Sequence, residues 1–246
     1  MAWQTPKTDW SAADGVRNTD FNRIEGNILA LKESGIVLEN ITLYVSPSGS
    51  DTTGTGTSAS PFASINKAVS VLPRNLNGKT VTINVAAGTY SGSTAISGFC
   101  GGRLCITGTY LSNVTLQSSL VVDTSAIIIE NITLTATSIT ITNGSDLICF
   151  SGILKASGGT ISVANNSKAH IYEATVQNAI TGVSVGNNSE AFISSLKGSG
   201  VTMGVSVTGG SRLGYSFNTL AASEVSIHTS DGGRVYAGAQ TSVPNY

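Results

Sequence analysis

The chain has 246 residues, enough for one large β domain with a substantial core, so length does not force a second domain. Charged residues make up 11% of it and the formal net charge is −1, which argues against electrostatic capture of nucleic acid or of an anionic membrane surface. Ser, Thr, Gly and Asn supply most of the polarity, and no apolar run approaches the roughly 18 residues that a membrane-inserted helix needs.

The first segment, 1–40, reads as an arm and a helix for attachment or oligomerisation. Its opening, "MAWQTPKTDW", lacks the basic-then-apolar layout of a secretory signal, so synthesis and folding in the cytoplasm are expected. Trp3 and Trp10 lie in an irregular stretch suited to anchoring on a partner. The run from Asn18 to Gly35 predicts a helix with Thr19 as cap and Gly35 as end. Phe21, Ile24, Ile28 and Leu31 follow the three-four-three spacing of an a/d seam. Spacing alone leaves two uses open for that face: association with other copies, or packing against the chain's own β domain.

The second segment, 41–80, reads as an opening strand, a loop and a capping helix. "SPSGSDTTGTGTSAS" (46–60) is rich in Gly, Ser and Thr and predicts a loop, in which Asp51 alone makes a poor cation site. The residues 58–73 predict a helix with Ser60 as N-cap, Pro61 in the first helical position and Pro73 as stop. Phe62, Ile65, Val69 and Leu72 then share one face, placed to plug the open end of the β domain.

The third segment, 81–246, repeats. Ser145, Ser167, Ser189 and Ser211 stand 22 residues apart, with Gly233 at the next step. The two positions before each read Asn143-Gly144, Asn165-Asn166, Asn187-Asn188, Gly209-Gly210 and Asp231-Gly232, the residue types that accept a left-handed bend. Apolar residues alternate with period two on both sides of the bend, as in Ile161 and Val163 before it and Ala169 and Ile171 after it. A unit this short cannot bury its apolar face alone. Stacked in register, such units form a parallel β-helix of about 22 residues per coil and roughly seven coils. Upstream stretches such as 81–90, 103–108 and 125–134 extend it less regularly.

Stacking makes positions 22 apart into neighbours. Asn143, Asn165 and Asn187 are therefore expected to form a side-chain amide ladder. The column after the Ser reads Asp146, Lys168, Glu190, Arg212 and Arg234; its first four signs alternate, which reads as scaffold and not as chemistry. A further outward column, Ile148, His170, Phe192, Gly214 and Tyr236, lies beside Phe150 and Tyr172. Outward apolar and aromatic side chains on neighbouring coils imply that something covers them. Another subunit, the N-terminal arm and a stacked glycan are the candidates.

No catalytic or metal-binding set stands out, and no cofactor is expected. Glycoside hydrolysis needs paired carboxylates, and lyases need a bound cation or a strong base with cationic helpers. Asp146 and Glu190 share a column but lie two coils apart with Lys168 between them. Glu173 and Lys197 are the other conceivable pairing, and His170 has no evident relay partner. The chain has 3 cysteines; "CGGRLC" (100–105) permits a disulfide or a thiolate pair, but the expectation is three small buried side chains.

Two stretches carry a family likeness. "WQTPKTDWSAADGVRNTDFNRIEGNI" (3–28) resembles the N-terminal segment of tail or baseplate-associated proteins in phages and prophages of Gram-positive bacteria. "LYVSPSGSDTTGTGTSASPFASINKAVSVLP" (43–73) is similar to the opening module of pectate-lyase-like, single-stranded right-handed parallel β-helices, including phage tailspikes. The likeness implies an all-β solenoid with a capping helix and a place in a virion tail. It implies a homo-oligomer, a trimer first, with other tail or baseplate proteins and cell-surface polysaccharide as partners. Polysaccharide lyase or glycoside hydrolase activity is the alternative that the same likeness brings.

Overall fold

The computed structural model describes residues 5–8, 11, 15–33, 37, 39–199, 203–215 and 227–237. Helix α1 (Asn18–Glu33) precedes strand β1 (Ile41–Val45), helix α2 (Ile65–Ser70) and strands β2 (Thr80–Val85), β3 (Gly88–Tyr90) and β4 (Thr94–Ser97). Then come β5 (Arg103–Leu116), β6 (Leu120–Asp123), β7 (Ala126–Ala136), β8 (Ile139–Thr142), β9 (Asp146–Ser157) and β10 (Ile161–Val163). The chain continues through β11 (Lys168–Gln177), β12 (Thr181–Val185), β13 (Glu190–Ser199), β14 (Met203–Val207), β15 (Arg212–Tyr215), β16 (Ile227–Thr229) and β17 (Arg234–Ala237).

These strands form a parallel β-solenoid. A 7-stranded sheet runs β16-β14-β12-β10-β8-β6-β4, and a 10-stranded sheet is made of the odd-numbered strands with β1 and β2 at its start. Every strand pair in both sheets is parallel, so each coil lies on the one before it. Ile139, Ile161, Val183, Val205 and Ile227 pair in sequence, as the 22-residue period predicts. The upstream coils are less even: Thr94 pairs with Leu120 and Leu120 with Ile139, steps of 26 and 19 residues. Six steps across the smaller sheet give a rod about 30 Å long at the usual strand spacing.

The core is one continuous column. Ile139, Ile141, Leu147, Ile161, Val183, Val185, Ile193, Val205 and Leu213 are all fully buried, while the residues between them point outward. At five corners between the sheets, two successive residues take left-handed backbone: Asn143 and Gly144, Asn165 and Asn166, Asn187 and Asn188, Gly209 and Gly210, Asp231 and Gly232; at the corner before Ser125, Thr124 alone does. Asn and Gly accept that conformation at the lowest cost, which is why the corner column carries so little else.

The serine after each corner faces inward. Ser125, Ser145, Ser167, Ser189 and Ser211 are all buried. The backbone N–H of Ser125 donates to Ser145 Oγ at 3.3 Å, that of Ser145 to Ser167 Oγ at 3.2 Å, that of Ser167 to Ser189 Oγ at 3.2 Å and that of Ser189 to Ser211 Oγ at 3.1 Å. The hydroxyls thus satisfy donors that the tight bend turns away from the strand ladder. The series stops at Gly233, where a Cβ would stand 2.1 Å from the Val207 carbonyl oxygen.

One end of the rod is capped by α2, which packs Ile65, Ala68 and Val69 into the core against β1, β2 and β4. The Asn66 side chain covers the edge of β4: its amide donates to the Ser93 carbonyl, and its Oδ1 accepts from the Ala95 N–H at 3.2 Å. The helix is shorter than the sequence predicts and starts at Ile65, with Ser64 as the N-cap in place of Ser60. Asp51 is the reason. Its carboxylate accepts from the N–H of Ala63 at 2.8 Å, the N–H of Ser64 at 3.0 Å and Ser64 Oγ at 2.7 Å, which holds 61–64 out of the helix. Phe62 instead bridges to Val45, covering the outer edge of β1. Asp51 is therefore a structural clamp.

Candidate functional site

The solenoid holds two surfaces worth weighing: a ladder at the corner and an outward column on the larger sheet. At the corner, Asn187 Nδ2 donates to Asn165 Oδ1 at 2.8 Å and Asn165 Nδ2 to Asn143 Oδ1 at 3.1 Å. The ladder runs one coil further than the sequence period indicates, since Asn143 Nδ2 donates to Asp123 Oδ1 at 2.8 Å. Asp123 and Ser125 escape the pattern because the coil that holds them is 20 residues long at the Ser column, not 22. Within the ladder, Asn143 and Asn165 each engage both ends of the side-chain amide with neighbouring coils.

The charge column is in register: Lys168 pairs with both Asp146 and Glu190, Glu190 with Arg212, and Arg212 with Arg234. Its members do not close to ion-pair distance. Ion pairs within 4 Å form elsewhere, between Lys197 and Glu173 at 2.8 Å and between Arg23 and Asp20 at 3.4 Å. The expected charge ladder is thus an alternation of sign across solvated side chains, in which each contact contributes little.

The outward column pairs Cys105, Ile128, Ile148, His170, Phe192, Gly214 and Tyr236 on successive coils. His170 and Phe192 meet with ring centroids 6.1 Å apart and planes tilted by 41°. Tyr236 is exposed at one end, and Phe150 and Tyr172 are exposed beside the strip, with Tyr172 at 60%. Cys105 and Ile128 extend the strip toward the capped end; they fall outside the 22-residue period, so alignment on the Ser column does not find them. Cys105 is only 5% exposed and its thiol donates to Glu130 Oε1 at 3.3 Å. Burial first, then the Glu130 carboxylate, pushes that thiol up to about 12.

Asp146 and Glu190 flank Lys168 on the coils either side of it. Glu173 is held by Lys197, and His170 packs on Phe192. Among the described residues, no group of three His, Cys, Asp or Glu side chains is placed to hold a metal ion. The three cysteines are free; Cys105 and Cys149 are buried but Cys100 is exposed, which corrects the expectation of three buried side chains. The Cys100 backbone forms an isolated parallel bridge to Asn75.

Helix α1 presents its seam to solvent. Phe21, Ile24 and Ile28 are 57%, 48% and 53% exposed, whereas Asn27 is buried. Those three side chains therefore do not pack on the chain's own β domain. Leu31 falls within α1, but its side chain lies outside the described residues, as do Trp3 and Trp10. No helix among the described residues is long and apolar enough to cross a membrane. Set against protein-family models, curated proteins and solved structures, the chain matches none.

Proposed function

We propose that this protein is a structural or adsorption component of a phage or prophage tail, with the β-solenoid as a rigid shaft and α1 as its attachment element. The observation that carries the reading is the exposed apolar seam of α1, next in the chain to a rod end already closed by α2. A helix that leaves Phe21, Ile24 and Ile28 in water is incomplete by itself. Further copies of the chain, three in all by the family likeness, or a neighbouring tail or baseplate protein complete it. The strip of Ile148, His170 and Phe192, with Phe150, Tyr172 and Tyr236 around it, then faces either the next shaft or a cell-surface glycan.

Light scattering tests the assembly part. The full chain is expected to be oligomeric, and a version lacking residues 1–35 is expected to have the mass of a single rod; a full-length monomer overturns self-assembly. Glycan-array binding without product release supports adsorption. A new reducing end or an unsaturated sugar replaces it with the polysaccharide lyase or glycoside hydrolase reading.

A further inference from the structure

We infer that Asn143 is a latent self-modification site, an asparagine set up for deamidation and held unreactive by the ladder that joins it to the neighbouring coils. The site stands independently of any role in a tail. The sequence contains two Asn-Gly pairs, Asn77-Gly78 and Asn143-Gly144. Such a pair is prone to intramolecular attack because glycine leaves its backbone nitrogen unshielded. In the reaction the Gly144 nitrogen bonds to Asn143 Cγ, the Cγ–Nδ2 bond breaks, and ammonia leaves with the proton from the Gly144 nitrogen. Water then opens the cyclic imide. Cleavage of one imide bond gives Asp; cleavage of the other gives isoaspartate, with an extra carbon in the main chain.

Every group needed for that attack is present, and each is engaged elsewhere. The Gly144 N–H donates to the Asn165 carbonyl at 2.9 Å. Asn143 Nδ2 is held by Asp123 Oδ1 at 2.8 Å, and Asn143 Oδ1 accepts from Asn165 Nδ2 at 3.1 Å. Within its own coil, Oδ1 also accepts a long bond of 3.4 Å from Thr142 Oγ1. Asn143 is exposed, so water is at hand. A Cβ built on Gly144 would meet nothing within 4 Å, so packing does not shield the nitrogen. The restraint is hydrogen bonding. Two of the three bonds that cross between coils belong to Asn165, which places control of Asn143 on the coil after it.

Asn77-Gly78 is the internal comparison. Asn77 is restrained by different groups: its Nδ2 donates to the Val37 carbonyl at 3.1 Å, and the Gly78 N–H donates to the Gly101 carbonyl. Loss of the next coil's grip therefore releases Asn143 without releasing Asn77. Once formed, an acidic residue at 143 faces the Asp123 carboxylate where an amide donor stood, so the ladder cannot reform. Local opening of the corner becomes a permanent covalent record.

The test is peptide mapping by mass spectrometry during incubation at mildly alkaline pH, tracking the gain of one mass unit and the isoaspartate content at both sites. In the native full chain, Asn143 is expected to react more than about tenfold more slowly than in the same chain held in guanidinium, because reaction waits on local opening. Equal rates overturn the inference. Asn165→Ala and, separately, Asp123→Ala are expected to accelerate Asn143 several-fold and leave Asn77 unchanged. No acceleration at Asn143 in either variant, or equal acceleration at both sites, overturns it. The native-against-denatured comparison needs no variant and stands if either substitution prevents folding.

Discussion

Phe192 lies across Gly214 on the next coil: a Cβ built on Gly214 would stand 2.8 Å from Phe192 Cδ2. Gly214 has ordinary strand backbone, so nothing but the ring forbids a side chain there. Elsewhere in a strand, Gly→Ala gains about 0.5–1 kcal/mol from the more restricted unfolded chain. Gly214→Ala is therefore expected to destabilise the protein while Phe192 is present and to stabilise it in the Phe192→Ala background. Chemical denaturation of the four proteins in the cycle measures this coupling. The same sign in both backgrounds removes the ring from the explanation.

The corner ladder separates backbone from side-chain effects. Asn165 has φ of 57° and bonds to the coils on both sides. Asn165→Gly keeps the backbone and loses the bonds; Asn165→Ala loses both. The expected costs are about 1 kcal/mol for Gly and about 1 kcal/mol more for Ala, read from urea unfolding. Equal costs for the two would mean that the bend carries no strain.

The inward serines are expected to be costlier to replace than their size suggests. Ser189→Ala removes the acceptor of the buried Ser167 N–H. A buried donor left without a partner costs about 1–3 kcal/mol, more than the lost hydroxyl contact itself. Substitution to Ala of the half-buried Ser184, on the outer surface of the preceding strand, is expected to stay within about 0.5 kcal/mol. Matching effects at both positions in a thermal melt would refute the role of the buried hydroxyls.

Much of this fold is legible because a solenoid turns sequence period directly into spatial contact. Ser145, Ser167, Ser189 and Ser211 are neighbours in space because they are evenly spaced in the chain, and the same holds for Asn143, Asn165 and Asn187. Where the period breaks, legibility ends. Ser125, Asp123, Ile128 and Cys105 belong to the same columns but sit on coils of other lengths, so alignment passes them over. The helix start fails for a different reason: Asp51 decides it from 13 residues before Ser64, and no local capping rule contains that contact. The strip and the α1 seam are both visible as spacing, yet spacing does not say which face meets water. Only packing resolved that the seam of α1 is turned outward.

The thiols predict how the protein responds to alkali. Burial pushes Cys149 up from 9.0 to about 12, and burial with the Glu130 carboxylate does the same for Cys105. Between those values the unfolded chain gives up these protons while the folded chain keeps them. Stability from this source is therefore fully present below pH 9 and lost as pH rises toward about 12. Iodoacetamide at about pH 8, just below the ordinary thiol pKa, is expected to label Cys100 alone in the native protein and all three cysteines in denaturant. Cys149→Ala is expected to flatten the fall of stability with pH by up to one proton's worth, whatever it costs at neutral pH. Native labelling of Cys149 as fast as Cys100 would contradict its burial.

The α1 seam makes the sharpest prediction about assembly. Phe21, Ile24 and Ile28 share one exposed face, while Asn27 at its border is buried. A carboxylate placed in the middle of that face meets no burial cost in an isolated helix, but in a helix bundle it is buried without a partner. Ile24→Asp is therefore expected to leave the β-sheet circular dichroism unchanged while lowering the solution mass to that of one chain. Glu25→Gln, on the neighbouring position of the same helix, is expected to leave the mass alone. If Ile24→Asp stays oligomeric, the contact between copies lies elsewhere, and the strip around His170 and Phe192 is the surface to alter next; Phe192→Asp then separates the mass change from the helix. If both variants keep the wild-type mass, neither apolar surface joins the copies, and α1 is left as a handle for a different protein.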